Sequence, residues 1–404
     1  MRILLVGAGA VGECIAAIAK RRGFFDAMAV ADYAEARAAE VVAKHGDQRF
    51  TPHPIDARDA HAVAAKARDV GADAVLNACD PRLNQAIFDG AFAAGANYLD
   101  MAMTPSVQHA TEPYAKVGVP LGEYQLDRHA GWEAAGQLAL VGMGVEPGMS
   151  DVFARYAADH LFSSIDEVAV RDGANLEVEG YAFAPTFSIW TTIEECLNPP
   201  LVYDKAHGGF FTTEPFSEPE VFDFPEGIGP LKCVNVEHEE VVLVPRWIDC
   251  NRVTFKYGLD DDFIEVLRVL HLVGLDRTDP VKVGNVEVSP RDVVAAALPD
   301  PAHLGDKMSG KTCAGTYVTG TGVDGKPRAT YLYHVVDNAD SMAEYGCQAV
   351  AWQTAINPVV ALELLASGKW SGAGVLGPEA FDAVPFLDLL AEYGSPHGVE
   401  ERSP

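Results

Sequence analysis

The chain begins with a short apolar run, Arg2-Ile3-Leu4-Leu5-Val6, that leads into Gly7-Ala8-Gly9-Ala10-Val11-Gly12 and then a helical pattern reaching Arg22. Strand, glycine turn and helix in that order form the opening unit of a parallel α/β sheet, with the helix N-terminus turned toward an anion. Each glycine has a separate reason to be there. Gly7 makes the tight turn out of the strand, Gly9 lets the backbone approach a pyrophosphate, and Gly12 lets the helix pack close to the sheet. Ala10 and Val11 fall in the first helical turn, whose N–H groups have no partner within the helix. A second apolar run, 27–31, ends at Asp32, 25 residues beyond Gly7. A carboxylate there accepts hydrogen bonds from an adenosine ribose and repels a 2′-phosphate, so NAD is the expected cofactor and NADP the lesser one.

Strand and helix patterns alternate through residues 1–148. Strands are predicted at about 2–6, 27–31, 49–51, 74–78, 98–101 and 138–142, with helices between them, including stretches at 106–116 and 126–136. That alternation predicts a doubly wound parallel sheet, which binds ligands at the carboxyl ends of its strands. Beyond Met143-Gly144-Val145-Glu146-Pro147-Gly148 the pattern changes. Strand-like runs at 168–171, 240–244, 253–257 and 329–333 are separated by Pro- and Gly-rich turns, which predicts a second α+β domain, 149–339, with a mixed or antiparallel sheet. From Asp340 the pattern is helical again, ending in an amphipathic stretch at 381–393.

Candidate site residues follow from this frame. Asn77, Ala78 and Cys79 close the fourth strand, where the ribose and nicotinamide of a dinucleotide lie, and Asp56 follows the third, near the adenine. A hydride-transfer enzyme needs a proton donor or acceptor beside the cofactor. Glu146, in the loop joining the two domains, is the candidate base, and Asp151 is the reserve. Arg171 and Arg246 are candidates for a substrate carboxylate, because an arginine fork binds one bidentately.

The formal charge is −28, from 58 acidic and 30 basic residues. Such a surface repels nucleic acid and anionic membranes and tolerates a cationic substrate. No apolar run reaches the length of a membrane span and no signal-peptide layout opens the chain, so a cytoplasmic location is expected. Seven cysteines are scattered without a C-x-x-C pair, and no H-E-x-x-H spacing occurs, so free thiols and no metal are expected.

The order of these pieces resembles the saccharopine dehydrogenase family, including its glutamate-forming members and lysine 6-dehydrogenase. The resemblance rests on Gly7 to Gly12, on Gly144-Val145-Glu146-Pro147-Gly148 and on the aromatic stretch Phe187-Ser188-Ile189-Trp190-Thr191. It also rests on Asp340 to Gly346 and on Gly374-Val375-Leu376-Gly377-Pro378-Glu379. It implies an NAD-dependent oxidoreductase of amino-acid metabolism, lysine metabolism in particular, acting on a C–N bond of a saccharopine-like amine or of lysine. Hydride leaves the carbon bonded to nitrogen and water hydrolyses the imine. It further implies a homodimer, a place for Trp190 at the substrate, and a segment 340–404 that returns to the nucleotide domain. Two positions depart from the family pattern. Arg171-Asp172-Gly173-Ala174-Asn175 stands where the fungal enzymes have Cys-Gly-Gly-Leu-Pro, and Glu146 stands for their Asp. Two alternatives remain: an NAD-dependent aminoalkyl transferase similar to homospermidine synthase, and a non-catalytic NAD-binding protein.

Overall fold

In a computed structural model, which describes residues 1–403, the N-terminal half is a parallel sheet. Its strands are β1 (Arg2–Val6), β2 (Ala27–Asp32), β3 (Phe50–Pro54), β4 (Ala74–Asn77), β5 (Asn97–Leu99) and β6 (Leu138–Leu140). A seventh strand, Gly374–Leu376, comes from the C-terminal region and adds beside β6. The order is Gly374–Leu376, β6, β5, β4, β1, β2, β3. β1 and β4 read as unbroken apolar runs because both faces of the sheet are covered; Leu4, Leu5, Val6, Val75 and Leu76 are fully buried. The order in which strands are added reverses between β1 and β4, which run parallel, and this opens the crevice that receives a ligand. Helix α1 (Ala10–Ala19) packs on the long helix Ala349–Ala366. That long helix has the length and apolarity of a membrane span, but 78% of it is buried against the rest of the chain.

The second sheet is mixed. Its long central strand β7 (Phe162–Ala174) runs parallel to Cys250–Gly258 and antiparallel to Lys311–Gly322, which in turn forms a hairpin with Pro327–Asp337. All seven cysteines are free thiols.

Three local expectations are corrected. The run 240–244, expected as a strand, lies in a helix, Glu240–Trp247. Val241, Val242, Leu243 and Val244 are all buried, so the segment shows no polar face, and a short uniformly apolar run carries no period to separate strand from helix. Residues 106–116 form an irregular loop closed by a single Val107–Val119 bridge; prolines at 105, 113 and 120 interrupt any helix there. The segment 340–404 divides between the two sheets. Gly374–Leu376 joins the nucleotide sheet, while the last strand, Gly398–Arg402, pairs with Pro327–Asp337 in the other.

Candidate active site at the junction of the two sheets

The nucleotide end is built by close backbone contact. Gly7 has φ +106°, and a Cβ there would lie 2.5 Å from the Ala78 carbonyl oxygen; one on Gly12 would lie 2.0 Å from the Gly7 oxygen. A Cβ on Gly9 would meet no atom within 4 Å, so the backbone over the start of α1 is open. No side chain caps α1, whose first turn contains Ala10, Val11 and Gly12. Asp32 accepts the Ala8 N–H with one oxygen and the Ala34 N–H with the other, both at 2.9 Å. It thereby ties the glycine turn to the end of β2 as well as marking the ribose position. These features fit a nicotinamide dinucleotide, with diphosphate over Gly9 and ribose at Asp32. Asp56 borders a groove of about 500 Å³ with Tyr33, Pro54 and Ile55. Arg58 grips its carboxylate in a fork and holds it down at about 2.

Asn77 and Cys79 differ from expectation. The Asn77 amide turns inward, donating to Asn84 and Tyr98 and accepting the Cys79 N–H. The Cys79 thiol rests on the Val6 carbonyl, and burial pushes it up to about 12. What this turn presents to a cofactor is therefore the backbone around Ala78 and Cys79.

Behind the turn, buried Asp100 accepts from the Gly142 N–H, Tyr98 and Gln125, and burial lifts it to about 7. It anchors the loop Gly142–Gly148 that carries Glu146. Neither Glu146 carboxyl oxygen receives a donor from the chain. Its neighbour is the Asp172 carboxyl on β7, and two carboxyls side by side disfavour ionisation of both. Burial first, then the charges of Asp172 and Glu240, pushes Glu146 well above the carboxylate range. Burial lifts Asp172 to about 6, opposed by Glu146 and His238. Asp151 repeats the arrangement. One of its oxygens accepts the Gly148 N–H at 2.7 Å, and its carboxyl neighbours that of Glu379 from the C-terminal segment. Burial raises both, Glu379 to about 7.

Facing these pairs is a wall that sequence reasoning missed. Glu237, His238, Glu239 and Glu240 are all buried at the start of the helix Glu240–Trp247. His238 stacks on Phe255 at 3.8 Å and donates Nδ1–H to Glu240 at 2.6 Å. Its Nε2–H reaches the Tyr257 hydroxyl at 3.2 Å, which donates to Glu195 at 3.2 Å. Burial opposes charge on the imidazole, but Glu240, Glu239 and Glu195 outweigh it and raise His238 to about 10. The surrounding carboxylates therefore favour the protonated ring. The ligand atoms of His238, Glu239 and Glu240 also lie close enough together to hold a metal ion. Burial lifts Glu195 to about 8 and Glu237 to about 7. The available signal was the run of four ionisable residues ahead of the apolar stretch.

Residues 3–140 match the saccharopine dehydrogenase NADP binding domain, and residues 144–395 match the saccharopine dehydrogenase C-terminal domain. The chain belongs to the saccharopine dehydrogenase family. It is 30% identical over 396 residues to carboxyaminopropylagmatine dehydrogenase of Synechocystis, covering 98% of this chain and 96% of that one. It is 28% identical over 419 residues to carboxynorspermidine synthase of Vibrio alginolyticus, covering 100% and 98%. Saccharopine dehydrogenase (L-Glu forming) of Saccharomyces cerevisiae shares its fold, with TM-score 0.70 over the whole of both chains at 13% identity. These two sequence relatives are thus named for agmatine- and norspermidine-derived compounds.

Within this family frame the three expected substrate residues separate. Arg171 is 4% exposed and bonds Glu220, the Val170 carbonyl and Thr254 on the face of β7 opposite Asp172. It ties strands together and is withdrawn from the junction. Arg246 is exposed on the helix Glu240–Trp247, because that segment is a helix and its last turn reaches solvent. Trp190 lines a cavity of about 320 Å³ between the two halves of the molecule, with Arg82 and Pro105 on one side and Glu194, Ser289 and Asp292 on the other.

Proposed function

We propose that this protein is an NAD(P)-dependent dehydrogenase that makes or breaks the secondary amine joining an amino-acid chain to a polyamine-type amine. The observation that carries this reading is the acidic wall. Glu195, Glu239, Glu240 and Asp172 act on one imidazole, His238, with Glu146 beside Asp172 and Glu240 and Glu237 beside Glu239. Buried carboxyls without counter-charge are costly, and a di- or polycationic ligand supplies the missing charge. The names of the relatives support the same substrate class.

In the forming direction the amine condenses with an amino-acid semialdehyde, the carbonyl oxygen leaves as water, and the C=N bond takes a hydride at carbon and a proton at nitrogen. A bound nicotinamide nucleotide supplies that hydride, or accepts it in the reverse direction. Gly7, Gly9 and Gly12 with the first turn of α1 would hold its diphosphate and Asp32 its ribose, which favours NAD over NADP. The amine attacks only as the neutral base, so a proton must leave its nitrogen. The Glu146–Asp172 pair is built for that exchange, taking a proton from the ammonium and returning one to the departing oxygen. His238 and Tyr257 fix the Glu195 carboxyl beside the amine chain, whose positive charge would favour its ionised form.

The test offers the purified protein NADH or NADPH, the semialdehyde of a four-carbon amino acid, and 1,3-diaminopropane, putrescine or agmatine in turn. Nucleotide oxidation dependent on both partners is the expected result. Turnover confined to saccharopine or lysine would overturn the polyamine assignment, and amine exchange without net nucleotide oxidation would mark the transferase alternative.

A further inference from the structure

The junction cavity beside Trp190 contains charges of both signs. Arg82 follows β4 by five residues, next to the expected nicotinamide edge. Its Nε and Nη2 bind Asp80 at 2.7 and 2.9 Å, and its guanidinium lies 3.4 Å from the Trp190 ring centroid. That grip fixes the fork and leaves Nη1 without a partner among the described residues. Thr278 and Ser289 add hydroxyl donors to the same cavity. Across from them are acceptors. Asp292 takes the Trp190 Nε1–H at 2.8 Å, and Glu194 accepts from Asn198 while pairing with Arg291. Arg291 supports the other side of the arrangement, 4.3 Å from the same ring.

We propose that this cavity is the subsite for a zwitterionic α-amino-acid head, with the carboxylate on Arg82, Thr278 and Ser289 and the ammonium on Asp292 and Glu194. A lone anion would meet two carboxylates there, and a lone cation would meet a guanidinium; a group carrying both charges satisfies both sets. The position agrees. Asn198 donates to Glu194 at 3.3 Å and to Glu237 at 2.8 Å, so a single side chain separates the cavity from the acidic wall. On this proposal the side chain of a head held in the cavity extends past Asn198 toward that wall. The assignment rests on the proposed function for the identity of the two joined halves. It also replaces Arg171 and Arg246, which the fold directs elsewhere, with Arg82 as the carboxylate fork.

The experiment is calorimetric titration of the full chain saturated with NAD⁺, so it does not depend on turnover. The probe is L-2-aminobutyrate, compared with butyrate and butylamine, each of which carries one of its charges. Aminobutyrate should bind at least about tenfold more tightly than either, and Arg82→Met and Asp292→Asn should each weaken it by about tenfold or more. Binding of 1,3-diaminopropane should stay within about twofold in both variants, which also shows that they are folded. Equal affinity for butyrate or butylamine, or unchanged aminobutyrate binding in Arg82→Met, would overturn the subsite. Intact aminobutyrate binding without any diaminopropane binding would instead refute the polyamine reading and leave the subsite standing.

Discussion

Replacing Glu379 with glutamine should stabilise the protein at alkaline pH and leave it unchanged in acid. Glu379 is 1% exposed, lies beside the Asp151 carboxyl, and is raised by burial from 4.5 to about 7. A carboxyl whose folded pKa lies above its unfolded one keeps a proton that the unfolded chain gives up. Between about pH 4.5 and 7 the unfolded state therefore binds fewer protons, and stability falls as pH rises through that window. The whole loss is present above pH 7, and none is present below 4.5. A shift of this size corresponds to about 3 kcal/mol at most. The glutamine side chain cannot ionise, and its amide can donate to the Asp151 oxygen that now lacks a partner. For a chain of this length, removing about 3 kcal/mol of penalty raises the thermal midpoint by roughly 3–4 °C. Thermal unfolding of wild type and Glu379→Gln, followed from pH 4.5 to 8.5, measures it. An equal difference at both ends of the range, or a variant less stable than wild type at pH 8, would refute the buried-carboxyl account.

Glu146→Gln should lower kcat at least about tenfold with nucleotide affinity intact, and full kcat at every pH would reduce Glu146 to a turn residue. Gly12→Ala drives a Cβ to 2.0 Å from the Gly7 oxygen, so the thermal shift produced by NAD should vanish while the tyrosine fluorescence of the second sheet is retained. Comparing kcat/KM for NADH and NADPH tests Asp32, and a clear NADPH preference would sink its ribose role. A homodimer remains a proposal, for which exposed Val269, Leu272, Val273, Val283 and Val286 offer apolar surface; light scattering at micromolar concentration decides it.

The nucleotide end was legible in the sequence because its geometry is local. A glycine turn after an apolar strand, and an acid at the end of the next strand, are set by bond lengths and by the contacts a Cβ would make at Gly7 and Gly12. The position of Glu146 in the loop between the two sheets was legible for the same reason, since a Pro/Gly loop past a strand end joins one sheet to the next. The alternation of strands and helices likewise determined the parallel sheet. The remainder of the site depended on partners far away in the chain. Asp151 acquires its meaning from Glu379 and Glu146 from Asp172, and no local pattern announces such a pair. The Glu237–Glu240 wall was hidden because Val241 to Val244 have no polar face to show their period. Arg171 was selected on residue type, and its neighbour Asp172 faces the site instead. Along a strand, successive side chains point to opposite sides of the sheet. The sequence alone could not say which side of β7 would face Glu146. The pairing of β7 with Cys250–Gly258 decides it, setting Arg171 beside Lys256 on one face and Asp172 beside Tyr257 on the other.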